Sequence, residues 1–290
     1  MAAELDGPRL APRSGRARQL VVFLHGYGAD GNDLIEIGKV WQPLLPDAAF
    51  VSPHAPEPCG QAPVGRQWFA LTFRDPNERW IGVNQARPVL ERFIDAELRR
   101  LGLPAAALAL VGFSQGTMMA LHVGLRSAVP PAAIVGYSGL LVVPPDGALE
   151  KDGHLEKFAA EISARPPVLL IHGEEDDLIP AQALFQATQG LAALGVRVAM
   201  AFVGRRRAWH RRGRAAPRRR VPSTQLRWPL NVAAGLFADG NLYRHVRVKL
   251  SACVRLASLA RSLAHWMSER RKGSRTRLGG PARAPGSGGR

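Results

Sequence analysis

The feature that most constrains this chain is the pentapeptide Gly112-Phe113-Ser114-Gln115-Gly116, a G-x-S-x-G pattern. Residues 107–111 form a short apolar run typical of a buried parallel strand, and residues 117–126 carry helix-forming side chains. A strand that turns sharply into a helix exposes the serine hydroxyl on a strained bend, where glycines avoid collisions with neighbouring backbone. The pattern therefore predicts Ser114 as a nucleophile at such an elbow.

Charge divides the chain into two parts. The formal net charge is +16 over 290 residues, but residues 1–202 hold 17 Lys and Arg against 21 Asp and Glu, whereas residues 203–290 hold 22 against 2. The basicity belongs to the tail, so it does not indicate a nucleic-acid-binding protein as a whole. We expect a flexible N-terminus over residues 1–17, an α/β domain over residues 18–202 and an Arg-rich tail of low order over residues 203–290.

The cysteines and the N-terminus bear on the cellular compartment. Cys59 and Cys253 have neither metal-ligand nor CxxC spacing, and they imply no disulfide framework. The N-terminus is polar, without an apolar h-region, and no run of 18 consecutive apolar residues occurs anywhere in the chain. These features predict a soluble cytoplasmic protein without a transmembrane segment.

A glycine turn near the start of the chain is a candidate anion-binding loop. Residues 19–24 have the pattern of a buried strand and run into His25-Gly26-Tyr27-Gly28, where backbone N–H groups can face a ligand. In hydrolases whose nucleophile lies on such a strand-to-helix elbow, the oxyanion hole takes one N–H from the residue after the nucleophile and one from a loop after an early strand. We therefore expect Gln115 and Tyr27 to be the donors, and we interpret His25 as a structural histidine that ties the loop down.

An acidic cluster follows a later apolar run. Residues 167–171 read as a strand, and residues 172–177 have the sequence H-G-E-E-D-D. Reactive groups gather at the carboxyl ends of strands in a parallel sheet, so a carboxylate here can reach the crevice that holds Ser114. We expect Asp176 to be the acid of a catalytic triad and Asp177 to cap the next helix.

The remaining pattern alternates strands and helices, which favours a doubly wound, mostly parallel sheet. The expected helices cover residues 32–41 and 84–101, and the further strands cover residues 49–52, 132–135 and 196–198.

The segment between residues 53 and 80 is rich in proline and aromatic side chains. Trp68 and Phe69 in such a loop either line an apolar acyl groove with Leu140 and Leu141 or pack the loop onto the core.

Five segments together resemble the phospholipase/carboxylesterase family, which includes acyl-protein thioesterases. They are F-L-H-G-Y-G at 23–28, P-H-A-P at 53–56, Q-W-F at 67–69, G-F-S-Q-G at 112–116 and H-G-E-E-D at 172–176. Their order and spacing match the family over about residues 18–200. The resemblance implies an α/β-hydrolase fold, with Ser114 as nucleophile, Asp176 as acid, and Tyr27 and Gln115 as oxyanion donors. It also implies hydrolysis of small carboxylic esters, lysophospholipids or acyl thioesters, without a metal or another cofactor.

The histidine that activates the serine is missing from its expected place. The family carries it in a Gly-His-Gly or similar motif on a loop after the last strand, but this chain has R-R-R-A-W-H-R-R at residues 205–212. Read from the second base of codon 200, permissible codons for residues 200–212 encode W-H-S-S-G-G-V-G-H-G-I-D, which is close to the family pattern. The lost histidine would straddle the codons of Ala208 and Trp209. We therefore hypothesise that a shifted reading frame is the common cause of the basic tail and the missing motif.

Two alternatives concern the tail. His210 could approach Ser114 by accident, although its Arg-rich neighbours do not indicate a loop that would aim it. The tail could also bind nucleic acid or an anionic membrane beside a catalytically inactive hydrolase fold, through arginines 205–220 and an amphipathic stretch at 250–267. Only one aromatic side chain interrupts the arginine block, and residues 279–290 are of low complexity. We expect a hydrolase fold with little activity.

Overall fold

The computed structural model describes residues 4–60, 64–72, 75, 77–144, 154–173, 176 and 178–203. The expectations for Asp177, for His210 and for the Arg-rich tail beyond residue 203 lie outside the described residues. Within these ranges, no helix is long and apolar enough to cross a membrane.

A central sheet of seven strands organises the domain. Its strands are β1 (Arg9–Leu10), β2 (Gln19–Leu24), β3 (Ala48–Val51), β6 (Leu108–Phe113), β7 (Ala133–Tyr137), β8 (Val168–Gly173) and β9 (Val198–Val203). The strand order is β1-β3-β2-β6-β7-β8-β9, and all neighbouring pairs are parallel except β1 with β3. Two short strands, β4 (Glu57–Pro58) and β5 (Arg66–Gln67), form a separate hairpin. The mostly parallel sheet confirms the predicted fold class.

Helices pack on both faces of this sheet. They are α1 (Gly31–Trp41), α2 (Glu78–Leu101), α3 (Gln115–Gly124), α4 (His154–Ala160) and α5 (Gln182–Ala193). α1 contacts β1, β2 and β3 on one face, whereas α3 and α5 share the hydrophobic core of the opposite face with α2. α1 begins at the predicted place because the Asp30 side chain accepts a hydrogen bond from the Asn32 N–H as an N-cap.

α2 begins six residues before the predicted start at residue 84. Its fifth residue is Gly82, a weak helix former, so the sequence pattern near the start of the helix gives little signal. The structure places Gly82 directly against the Phe69 ring, where a Cβ atom would collide, and Glu78 accepts hydrogen bonds from Thr72. Tertiary contacts therefore determine where this helix starts.

The N-terminal segment joins the sheet before the expected domain start at residue 18. Leu5 is buried, β1 pairs with β3, and the carbonyl of Pro8 accepts a hydrogen bond from the Ser52 N–H. A two-residue strand between prolines has no detectable periodicity, which explains why the sequence pattern misses it. At the other end of the sheet, β9 covers 198–203 and not the predicted 196–198.

Candidate active site

Ser114 lies between β6 and α3 in a conformation that serine rarely adopts. Its φ is 52° and its ψ is −114°, a strain that costs about 1–3 kcal/mol for a residue other than glycine. The backbone is held there because the Ser114 N–H donates to the Tyr137 carbonyl at 2.8 Å. Within the described residues, the Ser114 hydroxyl makes no hydrogen bond, and the side chain is half-buried. The predicted strained elbow is confirmed.

The two glycines of the motif are required by close backbone contacts. A Cβ atom on Gly116 would collide with the Leu24 carbonyl, and one on Gly112 would collide with the Gly116 carbonyl. α3 can therefore leave β6 at this angle only with glycine at both positions. The same packing brings the loop after β2 beside the nucleophile, since a Cβ atom on Gly26 would lie 3.4 Å from Ser114 Cβ.

The predicted oxyanion donors flank Ser114. Gln115 is the first residue of α3, and Tyr27 follows Gly26 in the adjacent loop. In the part of the chain that the structure describes, neither backbone N–H donates a hydrogen bond to another residue. An N–H in the first turn of a helix has no partner within that helix, and it lies at the positive end of the helix dipole. Both groups thus remain available to a negatively charged oxygen.

His25 holds the Tyr27 loop and is not positioned to carry a proton to Ser114. The Ala55 N–H donates to His25 Nε2 at 3.0 Å, so the imidazole proton is on Nδ1, which donates to the Gly26 carbonyl at 2.8 Å. The ring is fully buried, and this burial lowers the pKa of His25. Both ring nitrogens are therefore bonded to backbone, as expected for a structural histidine.

Asp176 follows β8 at the same edge of the sheet as Ser114. Its Oδ1 accepts hydrogen bonds from the Leu178 and Ile179 N–H groups, both at 3.0 Å, while Oδ2 lies 3.6 Å from His172 Nε2. One strand, β7, separates β8 from β6, so the two strand ends are about 10 Å apart. Ser114 and Asp176 thus follow the ends of two strands separated by one, at the same edge of the sheet.

None of the four histidines with described side chains hydrogen-bonds to Ser114. His54 Nδ1 accepts from the Gly31 N–H at 3.2 Å, and His172 Nε2 donates to a backbone carbonyl of its own loop. His122 lies edge-on against Trp80, with ring centroids 5.7 Å apart. His25 is bonded to backbone on both sides. The described residues thus contain a candidate nucleophile, oxyanion donors and an acid, but no candidate base.

Trp68 and Phe69 lie in the core and not on an open groove. Their exposed fractions are 1% and 3%, and they line a cavity of about 240 Å³ between the β4–β5 hairpin and α2. This burial does not support the expected contact with substrate and favours the alternative in which the aromatic rings pack the loop onto the core. Leu140 and Leu141 are half-buried, so they can still contact an acyl chain.

Two features of the site have no signal in the sequence pattern. The Phe113 ring, next to the nucleophile, is 39% exposed although it belongs to a buried strand. The Gln115 side chain is fully buried and hydrogen-bonds to the backbone of Trp68 and Phe69. Periodicity cannot reveal either feature, because both depend on the sharp turn and on the loop that packs against it.

The chain is similar to known hydrolases over most of the described region. A family model for phospholipase/carboxylesterase matches residues 5–205. Esterase YpfH of Escherichia coli (strain K12) is 30% identical over 187 residues, which cover 64% of this chain and 74% of that protein. Acyl-protein thioesterase 1 of Schizosaccharomyces pombe is 31% identical over 185 residues, covering 62% and 78% respectively.

Solved structures give the same result. The crystal structure of esterase PE8 is 43% identical with a TM-score of 0.64, covering 70% of this chain and 90% of that chain. A phospholipase/carboxylesterase from Dyadobacter fermentans, 21% identical with a TM-score of 0.53, shares the fold over 71% of this chain and 90% of its own.

Proposed function

Because the chain belongs to the phospholipase/carboxylesterase family, we propose that it hydrolyses carboxylic esters or thioesters with Ser114 as the nucleophile. The observation that carries this proposal is the strained elbow, where the Ser114 hydroxyl has no partner among the described residues and the unbonded Gln115 N–H follows directly. A hydroxyl held in this way can attack a carbonyl carbon without first breaking another hydrogen bond.

The proposed reaction has two steps. Ser114 Oγ forms a bond to the carbonyl carbon as its proton leaves to a base, and the carbonyl electron pair moves to the oxygen. The Tyr27 and Gln115 N–H groups donate to this oxyanion, which collapses and expels the alcohol or thiol with a proton. Water then attacks the acyl-enzyme in the same way and releases the carboxylic acid. In this scheme Asp176 holds the base through Oδ2, since its Oδ1 already accepts two backbone hydrogen bonds.

The base is the component that limits activity in this chain. The family match ends at residue 205, and the charge changes sign near residue 203. Both observations support a shifted reading frame near codon 199, within β9, that removes the histidine of the family motif. We therefore propose that hydrolysis is far slower than a complete triad would allow. The nucleotide sequence across codons 190–230 tests the frame directly: the interpretation fails if no single-base insertion or deletion near codon 199 restores a Gly-His-Gly motif.

The substrates we propose are small carboxylic esters, acyl thioesters and lysophospholipids. The names of the relatives, esterase and acyl-protein thioesterase, support the first two classes. The exposed Phe113 ring and the half-buried Leu140 and Leu141 offer apolar surface for an acyl chain near the nucleophile. A cytoplasmic location stays a prediction from composition.

Hydrolysis of a p-nitrophenyl ester and of an acyl thioester tests the proposal. We expect slow turnover that is lost in Ser114→Ala and retained in Ser127→Ala, a matched serine just beyond the other end of α3. Turnover that survives Ser114→Ala would contradict the proposed nucleophile. Turnover at the rate of a complete serine esterase would contradict the proposed loss of the base.

A further inference from the structure

The two oxyanion donors belong to segments that are distant in sequence. Tyr27 is on the loop after β2, and Gln115 opens α3 after β6, so no short stretch of chain fixes the distance between their N–H groups. β2 and β6 are neighbouring parallel strands in which Leu24 is in register with Gly112, but both donors lie beyond the strand ends. Side-chain hydrogen bonds to these two segments add to the close backbone packing of the β2 end against α3.

On the Tyr27 side, His25 sets the direction of the donor. The Gly26 carbonyl and the Tyr27 N–H belong to one planar trans peptide unit, so they point in opposite directions. Because His25 Nδ1 and the Ala29 N–H both donate to the Gly26 carbonyl, the Tyr27 N–H is turned to the other side. The Ala55 N–H on Nε2 keeps the imidazole in the tautomer that makes this bond.

On the Gln115 side, the buried side-chain amide of Gln115 hydrogen-bonds to the backbone of the loop that contains Trp68 and Phe69. Gln115 Oε1 accepts from the Trp68 N–H at 2.9 Å, and Nε2 donates to the Phe69 carbonyl at 2.8 Å. The indole Nε1 of Trp68 then donates to the His25 carbonyl at 3.0 Å. The His25 and Trp68 rings also lie together, with centroids 5.6 Å apart. Trp68 thus hydrogen-bonds to both donor-bearing segments.

We propose that Trp68 is a positioning residue that sets the distance between the Tyr27 and Gln115 N–H groups through its hydrogen bonds to His25 and Gln115. This inference rests on the proposed function, since it assumes that these N–H groups bind an oxyanion. It assigns Trp68 a role behind the site in place of the expected contact with substrate. The four residues that these hydrogen bonds join, His25, Trp68, Phe69 and Gln115, are all buried. Loss of one bond therefore leaves a buried polar atom that water cannot reach.

Trp68→Phe tests the role because it removes the indole N–H but keeps an aromatic ring and the backbone bond to Gln115. The matched control is Trp41→Phe. Trp41 is equally buried, at 1% exposed, but it packs on the opposite face of the sheet, and its Nε1 has no hydrogen-bond partner among the described residues. Gln115→Met is a second test, because it removes both amide bonds without changing the Gln115 backbone N–H.

The readout is the binding of benzeneboronic acid, which forms a tetrahedral adduct with a serine hydroxyl, compared with benzamide, which does not. We expect Trp68→Phe to weaken boronic acid binding about tenfold, less than the roughly hundredfold loss on deleting an oxyanion donor. Gln115→Met should weaken it at least as much. Benzamide binding should change by less than about twofold in both variants, because a displaced donor affects only the charged adduct.

The outcomes separate the two proposals. If Trp68→Phe and Trp41→Phe weaken boronic acid binding equally, or if benzamide binding falls in parallel, Trp68 only packs and the inference is wrong. If the parent chain forms no adduct that depends on Ser114, the proposed function fails and the inference fails with it. Melting temperatures of all variants identify any loss of binding that comes from unfolding.

Discussion

His172 and Asp176 jointly close the loop that follows β8. His172 Nε2 donates to the Ile179 carbonyl at 2.7 Å and lies 3.6 Å from Asp176 Oδ2, while Asp176 Oδ1 accepts from the Leu178 and Ile179 N–H groups. The carboxylate is therefore fixed by the loop that it helps to form. The buried His172 imidazole thus holds the Ile179 peptide of the loop whose N–H groups bind the proposed triad acid.

Replacement of His172 by Phe should destabilise the domain. The substitution keeps an aromatic ring in a site that is 1% exposed but leaves the Ile179 carbonyl without its donor. We expect the free energy of unfolding, measured by urea titration at pH 7, to fall by about 1–3 kcal/mol. A Phe variant as stable as the parent would show that this hydrogen bond does not hold the loop.

His122 should make stability depend on pH in the acidic range. Burial, followed by the positive charges of Arg126 and Arg87, lowers the pKa of His122 from 6.5 to about 3. The groups that face it are the Arg126 guanidinium, which is paired with Glu161, and the Trp80 ring. As pH falls, His122 takes up a proton in the unfolded chain before it does so in the folded protein. The contribution of the neutral imidazole to the free energy of unfolding is therefore complete above pH 6.5 and is lost as pH falls towards 3.

His122→Leu removes this dependence. The variant's unfolding free energy should fall less steeply than that of the parent between pH 6.5 and pH 3, in urea titrations at a series of pH values. At pH 7 it should equal or exceed the parent, because neither ring nitrogen of His122 has a hydrogen-bond partner among the described residues. Parallel pH curves for the two proteins would show that His122 does not titrate in this way.

Gly116→Ala should be strongly destabilising. The added methyl group would collide with the Leu24 carbonyl, a backbone atom that cannot rotate away, so β2 and α3 would have to separate. We expect a loss of at least about 3 kcal/mol in urea unfolding. Gly60→Ala is the control, because a Cβ atom there meets nothing within 4 Å, and it should be neutral or stabilise the chain by about 0.5 kcal/mol. Similar values for the two variants would rule out the close contact at the elbow.

Added imidazole should raise the hydrolysis rate if a base is the missing component. General base catalysis contributes about a hundredfold to ten-thousandfold, so even partial replacement should raise Ser114-dependent turnover about tenfold. The rise should saturate with imidazole concentration and be absent in Ser114→Ala. An equal increase in Ser114→Ala would show that imidazole hydrolyses the ester in solution and that the site gains nothing.

The elbow and the sheet could be predicted because their signals are local. β2, β6, β7 and β8 are short apolar runs that end at turn residues, and the glycines around Ser114 meet a backbone constraint that any chain with this turn must satisfy.

The rest depends on contacts that sequence patterns do not encode. β1 forms only because β3 offers an edge to pair with, and α2 starts early because Gly82 fits against Phe69. In the sequence, a tryptophan at position 68 looks the same whether its ring lines a groove or its N–H groups connect two loops. Only the hydrogen bonds of its indole and backbone N–H distinguish these roles.

Mass spectrometry of the chain after prolonged incubation with a fluorophosphonate probe tests the central claim most directly. The account predicts one adduct per chain, formed slowly, mapped to the peptide that contains Ser114 and absent from Ser114→Ala. Labelling at another serine, or no labelling after prolonged incubation of folded protein, would contradict it.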